Sequence, residues 1–155
     1  MPTSYRTISF KKQIRFRSNE IGIKVIDEQH KQFFRIIDKI LSARLNTTIS
    51  KDNLASLIYQ LAGYAQYHFS VEEQYCEEYA YPGITAQINA HKQYQSDIMQ
   101  IMHKMTNPRI DIDMLSEEVA NFSMNWLTRH ILSEDKKIGE WYKKTRHEKQ
   151  WSPTA

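Results

Sequence analysis

Apolar residues recur along this chain at spacings of three and four in four successive segments, the pattern of amphipathic helices. Ile26, His30, Phe33, Ile37 and Leu41 share one stripe and predict a helix from about Val25 to Leu45. A second stripe is Leu54, Leu57, Leu61, Ala65, His68, Glu72, Tyr75 and Tyr79. It begins after Ser50, a suitable N-cap, and ends at Pro82-Gly83. Gln87, His91, Tyr94, Ile98 and Ile101 mark a third helix from about Ile84 to Met105, stopping before Asn107-Pro108. The fourth opens after Asp113 and carries Leu115, Val119, Phe122, Trp126 and His130. Short connections favour antiparallel neighbours, so the expected fold is all-α, an up-down-up-down four-helix bundle. Residues 1–20 read as an N-terminal arm, 21–145 as the bundle and 146–155 as a tail. A short C-terminal helical tail is expected to dock at least in part, because Trp141 and Trp151 are large apolar groups to leave in water.

The polar residues that interrupt the stripes carry the functional signal. Positions four apart on a helix are separated by about 40° around its axis, so His68 and Glu72 lie on one face, as do Gln87 and His91. His30 and His130 each replace an apolar residue in the first and fourth stripes. One such histidine is ordinary, and an HxxxE spacing alone says little. Four inward histidines on four helices, with a carboxylate among them, are hard to explain as separate hydrogen-bonded core residues. Unpaired buried charges cost several kcal/mol each, roughly, and a metal removes that cost by binding neutral imidazole and ionised carboxylate. His103 and His147 fall off these faces and read as surface residues. Asp135 stands five residues past His130, about 140° away on an ideal helix. The two can share a site only if the helix ends or opens into a wide π-type turn between them. Spacing alone does not choose Asp135 over Glu134.

Composition narrows the setting. At 155 residues, 41% hydrophobic and 25% charged, the chain is sized for one globular domain. A net charge of +3 is too small to argue for nucleic acid. The cluster Arg6, Lys11, Lys12, Arg15 and Arg17 reads as a solvated leader. One cysteine, Cys76, precludes an internal disulfide, and no apolar run reaches the ~18 residues of a membrane span. A cytoplasmic location, without membrane or nucleic-acid partners, is the expectation.

Four pieces of the chain resemble the hemerythrin family, specifically bacteriohemerythrins. They are IDEQHKQFF at 26–34, HFSVEE at 68–73, YPGITAQINAHKQY at 81–94 and WLTRHILSED at 126–135. The resemblance runs from roughly Ile21 to Trp141 and implies a bundle with a non-haem di-iron centre that binds O2. Position by position, it implies that His30 and His68 hold one iron and His91 and His130 the other. Glu72 and Asp135 would bridge the two Fe ions together with an oxo or hydroxo group, the family's HxxxxD pattern selecting Asp135. Gln87 stands where the family has a third histidine on the second iron. Its carbonyl could ligate weakly, water could take the position, or that iron could be held loosely. An amide or water on that iron is expected to favour autoxidation or peroxidase-like side activity. O2 carriage, storage or sensing is the implied function. A di-iron peroxidase or oxidase, or a metal-responsive regulatory module without reversible O2 binding, are the alternatives. Ile26, Phe33, Phe34, Tyr64, Trp126 and Leu127 are candidate O2-pocket residues, although core packing explains each equally well.

Overall fold

A computed structural model describes residues 19–46, 49–145 and 152–154. The basic cluster, His147 and Trp151 lie outside the described residues. The fold is an all-α bundle. Helix α1 spans Lys24–Asn46, α2 Lys51–Glu78, α3 Ile84–His103 and α4 Ile112–His130. A single 3-10 turn, Lys104–Thr106, follows α3. A π turn, Ile131–Asp135, leads from α4 directly into α5, Lys136–Thr145.

Capping explains most boundaries. Ser50 Oγ accepts the Asn53 N–H at 3.1 Å and starts α2 as its sequence suggests. The fourth helix starts earlier than its apolar stripe indicates, because Asp111 caps it by accepting the Met114 N–H at 3.0 Å. Ahead of α1, Asp27 reaches back to accept the N–H groups of Ile21 at 2.7 Å and Gly22 at 3.1 Å. Gly22 turns the chain there with φ of 90°, a conformation that costs glycine little.

Neighbouring helices run antiparallel. His30 of α1 meets Glu72 of α2 while Phe33 meets Tyr64. His91 of α3 meets His130 of α4 while Lys104 meets Glu118. One end of the bundle interior is apolar, filled by Ile37, Ile40, Leu54, Ile58, Leu61, Ile98, Leu115 and Val119, all buried. Each such side chain contributes on the order of 1.5–3 kcal/mol of burial free energy. The other end, where α1 and α3 begin and α2 and α4 finish, holds the polar residues. The stripes shift slightly from their sequence reading. Ile58 is buried and Leu57 only half-buried. In α4 the small residues Ser116, Ala120 and Ser123 face inward while Phe122 and Trp126 lie at the flank. Small side chains there let α4 approach, and the aromatic rings cover the seam. Helix α5 packs against the residues at this end, with Trp141 Nε1 donating to the Tyr79 carbonyl at 3.0 Å. Gly139 lets it approach, since a Cβ there would sit 2.0 Å from the Ile21 carbonyl oxygen.

Candidate metal centre

Six polar side chains from all four helices and the π turn converge inside the polar end. His68, Glu72 and Asp135 have no exposure, and His30, His91 and His130 are also buried. The π turn is what admits Asp135. One extra residue per turn swings it back toward the axis, so it meets His130 although an ideal helix would hold them about 140° apart. His130 Nε2 lies 3.0 Å from Asp135 Oδ1, and His30 Nε2 lies 3.1 Å from Asp135 Oδ2. Glu134, the alternative on sequence grounds, is part-exposed and pairs with Lys137 at 3.2 Å.

Glu72 divides its oxygens in the same way. Its Oε1 lies 3.1 Å from His30 Nε2 and 2.9 Å from His68 Nε2, and its Oε2 lies 3.1 Å from His91 Nε2. Two groups with metal-binding potential result, one of His30, His68, Glu72 and Asp135, the other of Glu72, His91 and His130. Within each group the donor atoms lie within 4.8 Å of one another.

Two further residues fix the imidazoles. His68 Nδ1 lies 3.0 Å from Gln29 Oε1, an atom that can only accept, so the His68 proton sits on Nδ1. Gln29 is itself oriented by donating from Nε2 to the Tyr67 hydroxyl at 3.4 Å. His91 Nδ1 donates to Glu73 Oε1 at 2.8 Å. Each ring thereby turns an Nε2 lone pair inward when neutral, the arrangement that metal-binding histidines use. Those lone pairs then face other acceptors. With every imidazole neutral, His68 Nε2 and Glu72 Oε2 make no hydrogen bond despite contacts of 2.9 and 3.1 Å, and Asp135 Oδ2 is likewise unsatisfied 3.1 Å from His30 Nε2. Acceptors pressed together in a buried site repel unless a proton or cation lies between them. Without a cation, the protons go where the carboxylates are nearest. Burial lowers the pKa of His30, but bonding to Asp135 and Glu72 outweighs it and raises it to about 9. Burial dominates at His68, whose pKa falls despite Glu72. Burial opposes ionisation of Glu72 too, yet the imidazoles of His68 and His30 hold it well below the usual carboxylate range. The donor set fits a divalent metal of intermediate softness, with imidazole nitrogens and carboxylate oxygens and no thiolate.

Gln87 is buried among these residues and donates from Nε2 to Asp135 Oδ1 at 3.0 Å. Cys76 is buried close by, and burial raises its pKa, keeping it a thiol of low reactivity that fills core space. His103 is exposed. Among the candidate pocket residues, Trp126 stacks on His130 with centroids 4.5 Å apart and Phe33 meets the His68 ring edge-on at 5.9 Å. Tyr64 donates its hydroxyl to the Gln29 carbonyl at 3.2 Å. Ile26, Phe34 and Leu127 are buried core residues. Phe69, absent from the sequence-based set, stacks on His91 at 4.0 Å. Gln29 and Glu73 also escape a search for inward stripes. Each neighbours a candidate ligand in sequence, Gln29 beside His30 and Glu73 beside Glu72, and so points about 100° away toward the next helix. A polar residue on that flank is the signal that finds them. A groove of about 390 Å³ between α2 and α3, lined by Tyr59, Gly63, Tyr94 and Met99, includes none of these donors.

Comparisons with known proteins agree with this geometry. The model of the hemerythrin HHE cation binding domain matches residues 21–142. The bacteriohemerythrin of Clostridium acetobutylicum is 29% identical over 121 residues, covering 76% of this chain and 91% of that protein. Those of Stenotrophomonas maltophilia and Campylobacter jejuni are each 25% identical, over 115 and 118 residues, covering 74% and 76% of this chain and 71% and 86% of theirs. With a cation-binding domain model matched across nearly the whole bundle, and a buried His/Glu/Asp cluster at its polar end, this chain belongs to the hemerythrin family.

Proposed function

We propose that the chain is a non-haem di-iron protein that binds O2 reversibly. In this reading His30 and His68 hold one iron, His91 and His130 hold the other, and Glu72 and Asp135 bridge them. The observation that carries it is the division of each carboxylate. Glu72 turns one oxygen toward His30 and His68 and the other toward His91, and Asp135 turns one toward His30 and the other toward His130. A carboxylate serving one ion has no reason to be split between two sets of imidazoles. A pair of ferrous ions supplies the electrons with which O2 is held. The protein's own part is to orient and to exclude. Gln29 and Glu73 keep the His68 and His91 rings turned inward. Phe33, Phe69 and Trp126 pack on the imidazoles and keep water from them, which limits competing proton transfer.

The test is optical. Protein loaded anaerobically with ferrous iron is exposed to O2 and then purged with argon. A visible charge-transfer band that grows and disappears with O2 is expected. Steady turnover of added peroxide with no reversible band would assign the site to an enzyme instead, and no band at all would reject O2 binding.

A further inference from the structure

We propose that Gln87 does not ligate the metal between His91 and His130 but holds Asp135, leaving on that metal a position open to small monodentate anions. The inference rests on the di-iron reading above.

The argument begins with the amide. Gln87 has no exposure, and its nitrogen donates to Asp135 Oδ1 at 3.0 Å. The two ends of the amide cannot be exchanged, because that would place two acceptor oxygens at this distance in a dry site. That role leaves Oε1 as the only atom of the Gln87 side chain with lone pairs for a metal, and the bond from Nε2 to Asp135 is what fixes where Oε1 points. A carboxylate oxygen has two lone pairs, so Asp135 Oδ1 can accept from Gln87 and still bind a cation. Such a bond orients a carboxylate from outside the coordination sphere.

The donor count follows. In the di-iron reading one metal would receive imidazoles from His30 and His68 and the other from His91 and His130, sharing Glu72, with Asp135 reaching His30 through Oδ2 and His130 through Oδ1. With glutamine at position 87, neither metal has a third imidazole among the described residues, and each would have two imidazoles and a share of the same two carboxylates. Whatever position a small ligand finds on the first has its counterpart on the second. Gln87 Oε1 is buried and makes no hydrogen bond; in this proposal it accepts from a water or protonated anion entering beside Asp135 instead of binding the metal, and the Gln87→Leu variant separates the two roles.

Azide binding to the ferric, iron-loaded protein tests this, after iron per chain has been measured for each form. Two azides per chain are expected for the unaltered protein and for Gln87→Leu, which removes the amide without adding a ligand. Gln87→His supplies an imidazole and should bind one. If the unaltered protein binds one azide and Gln87→Leu two, Gln87 is a ligand and the proposal is wrong. Equal counts in all three forms would also overturn it, because position 87 would not control access. If fewer than two irons load, the di-iron reading fails and this proposal with it, and the iron count identifies that case.

Discussion

Removing metal should cost this protein much of its stability, and the structure sets the scale. His68 Nε2 is buried, unsatisfied and 2.9 Å from an acceptor, Glu72 Oε1, whereas Glu72 Oε2 and Asp135 Oδ2 depend on protons from His91 and His30. Each unsatisfied buried group costs about 1–3 kcal/mol, so His68 Nε2 alone costs that much and the three together roughly 3–9 kcal/mol once His30 and His91 lose their protons. Total stability for a domain is only about 5–15 kcal/mol. At this chain length 1 kcal/mol shifts Tm by roughly 2–4 °C, so stripping the metal should lower Tm by several degrees near neutral pH and by on the order of ten degrees or more above about pH 9. The assay is thermal unfolding by circular dichroism at one pH, comparing iron-loaded protein with protein stripped by a chelator. A companion variant, His68→Leu with Glu72→Met, replaces part of the polar cluster by apolar groups. It should unfold at or above the Tm of the stripped protein and gain nothing from iron. Stripped and loaded protein unfolding within about 2 °C of each other would refute the reasoning, because the converging acceptors would then be satisfied without a cation.

Other outcomes are expected from the same contacts. Gln29→Leu releases the His68 Nδ1 proton from its acceptor and should weaken metal affinity about 10–100-fold by competition titration, with little loss of helicity. Gly139→Ala drives a methyl group into the Ile21 carbonyl and should destabilise by about 1–3 kcal/mol in urea titrations, in loaded and stripped protein alike. The stripped protein should also lose stability as pH rises. His30 has its folded pKa raised from 6.5 to about 9, so its stabilisation is fully present below pH 6.5 and lost as pH climbs through 9. His91 shifts in the same direction, and His68, whose pKa is lowered, acts only below 6.5. Urea midpoints at the two ends of that window check the sign, and a midpoint that rises with pH would contradict it.

The fold was legible in the sequence because a single physical rule governs it. Inward stripes at helical spacing located all four helices, and the third stripe, Gln87 through Ile101, matches the buried residues of α3 one for one. The fourth was less readable, since packing there selects small residues and pushes Phe122 and Trp126 to the flank. Asp135 marks the limit of wheel arithmetic. Its inward position depends on a π turn that no residue in the run ILSED announces, so only resemblance to a family could select it. Gln29 and Glu73 were hidden for another reason. They act on the histidine of a neighbouring helix, and a one-helix periodicity does not see across the seam. The role of Gln87 needed its hydrogen-bond partner, because spacing places it at the site without saying which end of the amide faces inward.

Iron bound per chain after anaerobic loading, with excess metal removed, tests most directly whether the split carboxylates serve a pair of ions. The account predicts two per chain in the unaltered protein and a loss of both when Glu72 and Asp135 are replaced together by alanine. One ion or none in the unaltered protein, or an undiminished pair in that double variant, would contradict it.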